Sequence, residues 1–244
     1  MSRHIFKLNE TNLDGPALSD AETKLFRDWR ELSPNLVTDG AVNPIAYCES
    51  ENRILLVLKE VNDPGGGGWD LREFLKAGGR QQTWTNVTRW LIAIANLPRD
   101  TDWDELVAIT EDDRRRTLDG IAVMNLKKEP GGHTAIAEEV ASTARDHTTL
   151  LKRQFELYRP HLTLCCGVGD LAYAVLFGRD GPKWQHTARG IQYCEIEPKR
   201  FLVAYSHPEA RVHAPLLVYG LVDAIKEIRK MNLLEHIKPY GSQL

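Results

Sequence analysis

Three short polar clusters in this chain carry residue types that could do chemistry. The first is Lys59-Glu60-Val61-Asn62-Asp63, followed by Pro64 and the glycine run Gly65-Gly66-Gly67-Gly68. The second is Asn125, followed by Leu126-Lys127-Lys128-Glu129-Pro130-Gly131-Gly132-His133. The third is Ser206-His207-Pro208-Glu209-Ala210-Arg211. They offer a carboxylate that can act as acid or base, an amide that both donates and accepts, and an imidazole able to donate a hydrogen bond while neutral. Each has a plain reading alone: a turn-forming Asn, a flexible glycine linker, a loop His beside a turn Pro. Their shared position in the chain argues for more.

Each cluster follows a short apolar run, residues 53–58, 120–124 and 201–205, rich in branched side chains as a buried strand requires. Two further runs, 161–166 and 191–196, read as strands, the latter joined to 201–205 by a tight Glu-Pro-Lys-Arg turn. Helical spacing covers 19–33, opened by the capping-box pattern Ser19-Asp20-Ala21-Glu22, then 85–96, 103–109, 137–158, 169–177 and 214–228. Residues 1–18 read as an irregular surface arm, 37–50 and 178–186 as loops, and 111–116 as a solvated charged face. Strands alternating with helices predict one α/β domain over 1–244, a parallel sheet with helices on both faces. In such a sheet ligands bind in the crevice beyond the strands' carboxyl ends, where all three clusters would stand.

Composition narrows the setting. With 42% apolar and 27% charged residues in 244, the chain is expected to be soluble, with no run near the ~18 apolar residues of a membrane span. The N-terminus has no apolar signal region, so a cytoplasmic location is expected. The four cysteines, Cys48, Cys165, Cys166 and Cys194, form no metal-binding spacing; no metal or other cofactor is expected. A net charge of −3 speaks against an indiscriminate nucleic-acid coat and leaves room for a local basic patch.

Taken together, the clusters resemble the uracil-DNA glycosylase superfamily, with its GxxPG-like loop after the first strand, an Asn after the second and an HPS-type loop near the end. Asn125 to Val140, NLKKEPGGHTAIAEEV, is similar to the family's NxVKCRPPGNRxPxxEEI stretch, and Arg159 to Ala172, RPHLTLCCGVGDLA, to its RPxIIxxLGxxA strand and helix. The resemblance covers roughly residues 54–230. It implies a three-layer α/β/α sandwich around a central, mostly parallel four-stranded sheet. The cysteines of the family's iron–sulfur branches are missing, and so is the first motif's leading glycine. Aligned from the strand, Glu60 is the catalytic carboxylate; aligned on the proline, it is Asp63.

What the resemblance implies is removal of a base from DNA by a monofunctional glycosylase, acting as a monomer with DNA as partner. The C–N bond breaks through an oxocarbenium-like sugar and leaves an anionic base. Glu60 or Asp63 would orient water and face the cation, while His207 would stabilise the base. Asn125, with Asn62, would read its edge. Because the base must be flipped into a pocket, an aromatic platform is expected: Phe74, from the family pattern, or Trp69 or Trp84 nearby. Gly65, Gly66, Lys127, Lys128, Ser206 and Arg211 are candidates to meet phosphates. Lys59 at the strand end could in principle form a Schiff base. The loose glycine loop could admit a bulkier pyrimidine than uracil, such as a modified cytosine of phage DNA, giving a defence role. Two alternatives stay open: a non-catalytic reader of damaged or modified DNA, and a hydrolase of free nucleosides or nucleotides.

Overall fold

The structure, a computed structural model, describes residues 14–230. In chain order its elements are α1 (Gly15–Leu32), β1 (Gly40–Ala41), α2 (Pro44–Glu49), β2 (Ile54–Leu58), α3 (Leu71–Lys76), α4 (Gln81–Ala95), α5 (Trp103–Val107), α6 (Glu111–Asp119) and β3 (Ile121–Asn125). There follow α7 (Ala137–Asp146), α8 (Thr148–Tyr158), β4 (Leu162–Cys166), α9 (Gly169–Phe177), a 3-10 turn (Gly178–Asp180), β5 (Gln185–His186), β6 (Gln192–Glu197), β7 (Arg200–Tyr205) and α10 (Ala214–Lys230).

A single seven-stranded sheet runs in the order β1-β3-β2-β4-β7-β6-β5. Its middle four strands, β3, β2, β4 and β7, are mutually parallel. The other three pair antiparallel at the edges, so the sheet is wider than the four strands expected. On one edge, two-residue β1 is held by the tertiary bonds Val42 N–H to Ile121 O (2.9 Å) and Ala41 N–H to the Glu22 carboxylate (2.8 Å). On the other, β6 and β7 form the expected hairpin, with Lys199 turning at φ 67°.

Alternate residues of each strand feed two apolar clusters, as the pleat dictates. Ile54, Leu56, Leu58, Val123 and Val203 pack with α3, α4, α5, α6 and α10. Leu55, Val57, Met124 and Leu202 pack with α1, α2, α7, α8 and α9. Helices therefore cover both faces. Strands β2, β3 and β4 are buried on both sides, which is why they read as unbroken apolar runs.

Several elements differ from their sequence reading. Helix α1 starts at Gly15, where Asp14 caps it by accepting from Ala17 N–H at 2.8 Å; Ser19 lies inside the helix. Of the expected N-terminal arm, residues 1–13 lie outside the described residues and 15–18 are helical. The segment read as a loop over 37–50 contains β1 and α2, the latter capped by Asn43. The charged run at 111–116 is the first part of α6, closed by a Thr110/Asp113 capping box, with Arg114 buried and donating to Gly78 O at 2.7 Å. The helix expected over 137–158 breaks at His147, whose Nδ1 accepts from Trp29 Nε1 at 3.3 Å. The loop at 178–186 ends in β5.

Candidate functional site

Leu58 and Asn125 are register partners at the carboxyl ends of β2 and β3. Beyond them the chains stay paired: Leu126 N–H donates to Leu58 O (2.9 Å), Lys127 N–H to Lys59 O (2.9 Å), Gly131 N–H to Val61 O (2.8 Å) and Asp63 N–H to Gly131 O (3.0 Å). Because side chains alternate along this extension, Glu60, Asn125 and Lys127 project to the α3/α4 side of the sheet. On β7 the same alternation carries Phe201 and Val203 toward that side and leads to His207. A cleft of about 690 Å³ opens there, lined by Glu60, Asn62, Asp63, Asn125 and His207 with the aromatic wall Trp69, Phe74 and Trp84. Lys59, Arg80, Thr83, His133 and Glu209 complete its rim.

His207 is held in one orientation. Its Nδ1 accepts the backbone N–H of Glu209 at 3.1 Å, so in the neutral ring the proton sits on Nε2 and can be donated. Burial pushes its pKa below the usual imidazole value; nearby Glu209 opposes this, and the charges of Lys59 and Arg80 add to it. The loop is tied to α4: Glu209 accepts from Arg80 and Thr83, and Asn86 Nδ2 donates to Pro208 O at 2.9 Å. Arg80, Thr83 and Asn86 had no sequence signal as site residues, because only the tertiary packing of α4 brings them to this loop.

The two first-motif carboxylates sit differently. Glu60 is almost wholly buried and paired with Lys127 Nζ at 2.6 Å. Gly131 packs against it so closely that a Cβ there would lie 1.9 Å from Glu60 Oε1. Asp63 Oδ2 accepts from Gly67 N–H at 2.9 Å and Trp69 Nε1 at 2.8 Å, capping the glycine loop. That loop is folded, since Gly68 N–H donates to Asn35 O (3.1 Å) and a Cβ on Gly67, at φ 105°, would meet Asn35 O at 2.1 Å. Gly65 and Gly66 stand exposed on it.

Phe74 is 42% exposed and meets Trp69 edge to face at a centroid separation of 6.0 Å, whereas Trp84 is 4% exposed and belongs to the core. Asn62 is exposed, its Nδ2 3.3 Å from His133 Nδ1. His133 was not singled out in the sequence; it is a rim residue only because the loop after β3 folds back. Ser206 and Arg211 are exposed on the third loop.

Two expected phosphate contacts are corrected. Lys128 is 1% exposed and points to the opposite side of the sheet from Lys127, with its Nζ on Asp39 and Gln154. Lys127 is engaged with Glu60 and 11% exposed. Adjacent residues on an extended segment face opposite ways, so both lysines could not serve one surface. Lys59 lines the cleft, and among the described residues its ammonium has no carboxylate within ion-pair distance.

Cys165, Cys166 and Cys194 are buried with thiol pKa values pushed up by burial, those of Cys166 and Cys194 to about 12. Among the described residues no group of three or more His, Cys, Asp or Glu is placed to hold a metal ion, and no helix is long and apolar enough to cross a membrane. The chain matches no model of a known protein family, and no curated protein is significantly similar to it in sequence.

Proposed function

We propose that this chain is a monofunctional DNA glycosylase of the uracil-DNA glycosylase superfamily, hydrolysing the N-glycosidic bond of a flipped-out pyrimidine and leaving an abasic site. One observation carries the reading. A carboxylate, an amide and a neutral imidazole, from three separate strand ends, line one cleft beside an exposed aromatic ring.

In this reading the flipped base stacks on Phe74, backed by Trp69. Asn125 reads its edge from the cleft floor, and His207 donates from Nε2 to an oxygen of the base as negative charge develops there. Lys59, on the rim and with no carboxylate partner among the described residues, adds to the same stabilisation. Glu60 shares its side of the sheet with Asn125 and faces the sugar, where it orients water and offsets the oxocarbenium charge. Asp63 shapes the glycine loop, whose exposed Gly65 and Gly66 approach the phosphates together with Ser206 and Arg211.

A cleft of about 690 Å³ falls within the ~300–1,000 Å³ usual for ligand sites. That volume leaves room for a base carrying a substituent, and we propose a modified cytosine of phage DNA as the candidate, whose removal would serve defence. Release of free base, seen as alkali-labile abasic sites in DNAs carrying uracil, other deaminated bases and hydroxymethylated or glucosylated cytosine, tests the proposal. DNA binding without release would favour a reader, and cleavage of free nucleosides without DNA binding a nucleoside hydrolase.

A further inference from the structure

Behind Asn125 lies a charged cluster wholly removed from solvent. Asp39 accepts the backbone N–H of Asn125 at 2.7 Å and its side-chain Nδ2 at 3.3 Å. The same carboxylate accepts Gln154 Nε2 at 2.7 Å and meets Lys128 Nζ at 2.8 and 2.7 Å. Lys128 Nζ also donates to Gln154 Oε1 at 2.7 Å and stands 4.8 Å over the Trp29 ring. Asp39 and Gln154 are 0% exposed, Lys128 1% and Asn125 2%.

Such a pair is a poor way to gain stability, because desolvating both charges offsets most of their attraction and apolar replacements often do as well. What it supplies is direction. An ionised carboxylate only accepts hydrogen bonds, so the Asn125 amide must turn its NH2 toward Asp39. Lys128 and Gln154 hold Asp39 from the far side and fix where it stands.

We propose that Asp39, Lys128 and Gln154 form a positioning device that locks the Asn125 amide with its carbonyl oxygen toward the cleft, so that the site selects a ligand edge presenting an N–H donor. The selectivity rests on the reading of Asn125 as the base-reading residue; the lock does not. A pyrimidine with an imide N–H or an exocyclic amine meets this demand; a base alkylated at the imide nitrogen, or twice at the amine, does not. Asp39, Lys128 and Gln154 touch no ligand and act through Asn125 alone.

The test pairs a signal that needs no activity with one that does. In the full chain, amide NMR of wild type should show the Asn125 side-chain NH2 exchanging at least about tenfold more slowly than exposed asparagine amides. In Asp39→Leu/Lys128→Met, which removes both charges together, that protection should vanish while the fold persists. On whichever DNA base the wild type releases, the double variant should lose about tenfold or more in kcat/KM, and in an Asn125→Ala background it should lose nothing further. Free exchange of the Asn125 amide in wild type overturns the proposal even if the double variant does not fold. Retained protection in the double variant, or losses that add to those of Asn125→Ala, also overturn it. If wild type releases no base, the glycosylase reading fails, and the exchange data still decide the lock.

Discussion

The backbone N–H of Glu209 donates to Nδ1 of His207 at 3.1 Å, and this one bond leaves Nε2 as the proton-bearing nitrogen of a neutral ring that lines the cleft. Burial, Lys59 and Arg80 hold the imidazole below its ordinary value of 6.5, with Glu209 pulling the other way. Base release should therefore be flat near neutral pH and fall on an acid limb lying below pH 6.5, as the ring takes up a second proton. Lys59→Met removes a charge that lowers the pKa and should move the limb up toward 6.5; Glu209→Gln removes one that raises it and should move the limb further down. A kcat/KM profile of the three proteins checks the signs.

Glu60 and Asp63 separate by what each side chain already does. Glu60→Gln should lower kcat by about 10²- to 10⁴-fold, the range for losing a positioned acid or base. Asp63→Asn keeps an acceptor for Trp69 Nε1 and should cost no more than about tenfold, mainly in KM, through a looser glycine loop. The reverse ranking in steady-state kinetics would assign the chemistry to Asp63.

Gly131→Ala places a methyl group where the Glu60 carboxylate lies, with contacts of 1.9 Å to Oε1 and 2.2 Å to Cδ. Overpacking of this kind costs about 1–3 kcal/mol. The variant should stay folded in a thermal melt while losing activity as Glu60→Gln does. Wild-type turnover from Gly131→Ala would show that the position of Glu60 does not matter.

His161 sits just before β4, at the end of the sheet away from the cleft, and should govern stability. Burial, with Arg53 and Arg200 beside it, lowers its pKa from the ordinary 6.5 to about 4. Protonation thus favours the unfolded chain. Stability is full above pH 6.5 and is lost progressively as pH falls from 6.5 toward about 4. Urea midpoints across that window should slope for wild type and flatten for His161→Gln, with the activity limb of His207 unchanged.

The four parallel strands were legible because burial on both faces makes each a continuous apolar run, and the observed Ile54–Leu58, Ile121–Asn125, Leu162–Cys166 and Arg200–Tyr205 fall within a residue of the sequence reading. From those strand ends the positions of Glu60, Asn125 and His207 could be placed in one crevice. Gly40–Ala41 could not be read as a strand, because a two-residue pairing has no periodicity and rests on Glu22 and on Ile121 O. Nor could the break at His147, which has no Pro or Gly nearby and shows itself only through the Trp29 contact. The opposed directions of Lys127 and Lys128 were available from strand alternation. Asp39, Gln154, Arg80 and Thr83 were not, since each reaches the site only through long-range packing.

The most direct test of the central claim is base release from the panel of modified DNAs by wild type beside His207→Ala. We predict release of one pyrimidine base by wild type, leaving an alkali-labile site, and a drop of about 10²-fold or more in His207→Ala, as for the loss of a preorganised donor. Undiminished release by His207→Ala, or no release from any member by wild type, would contradict it.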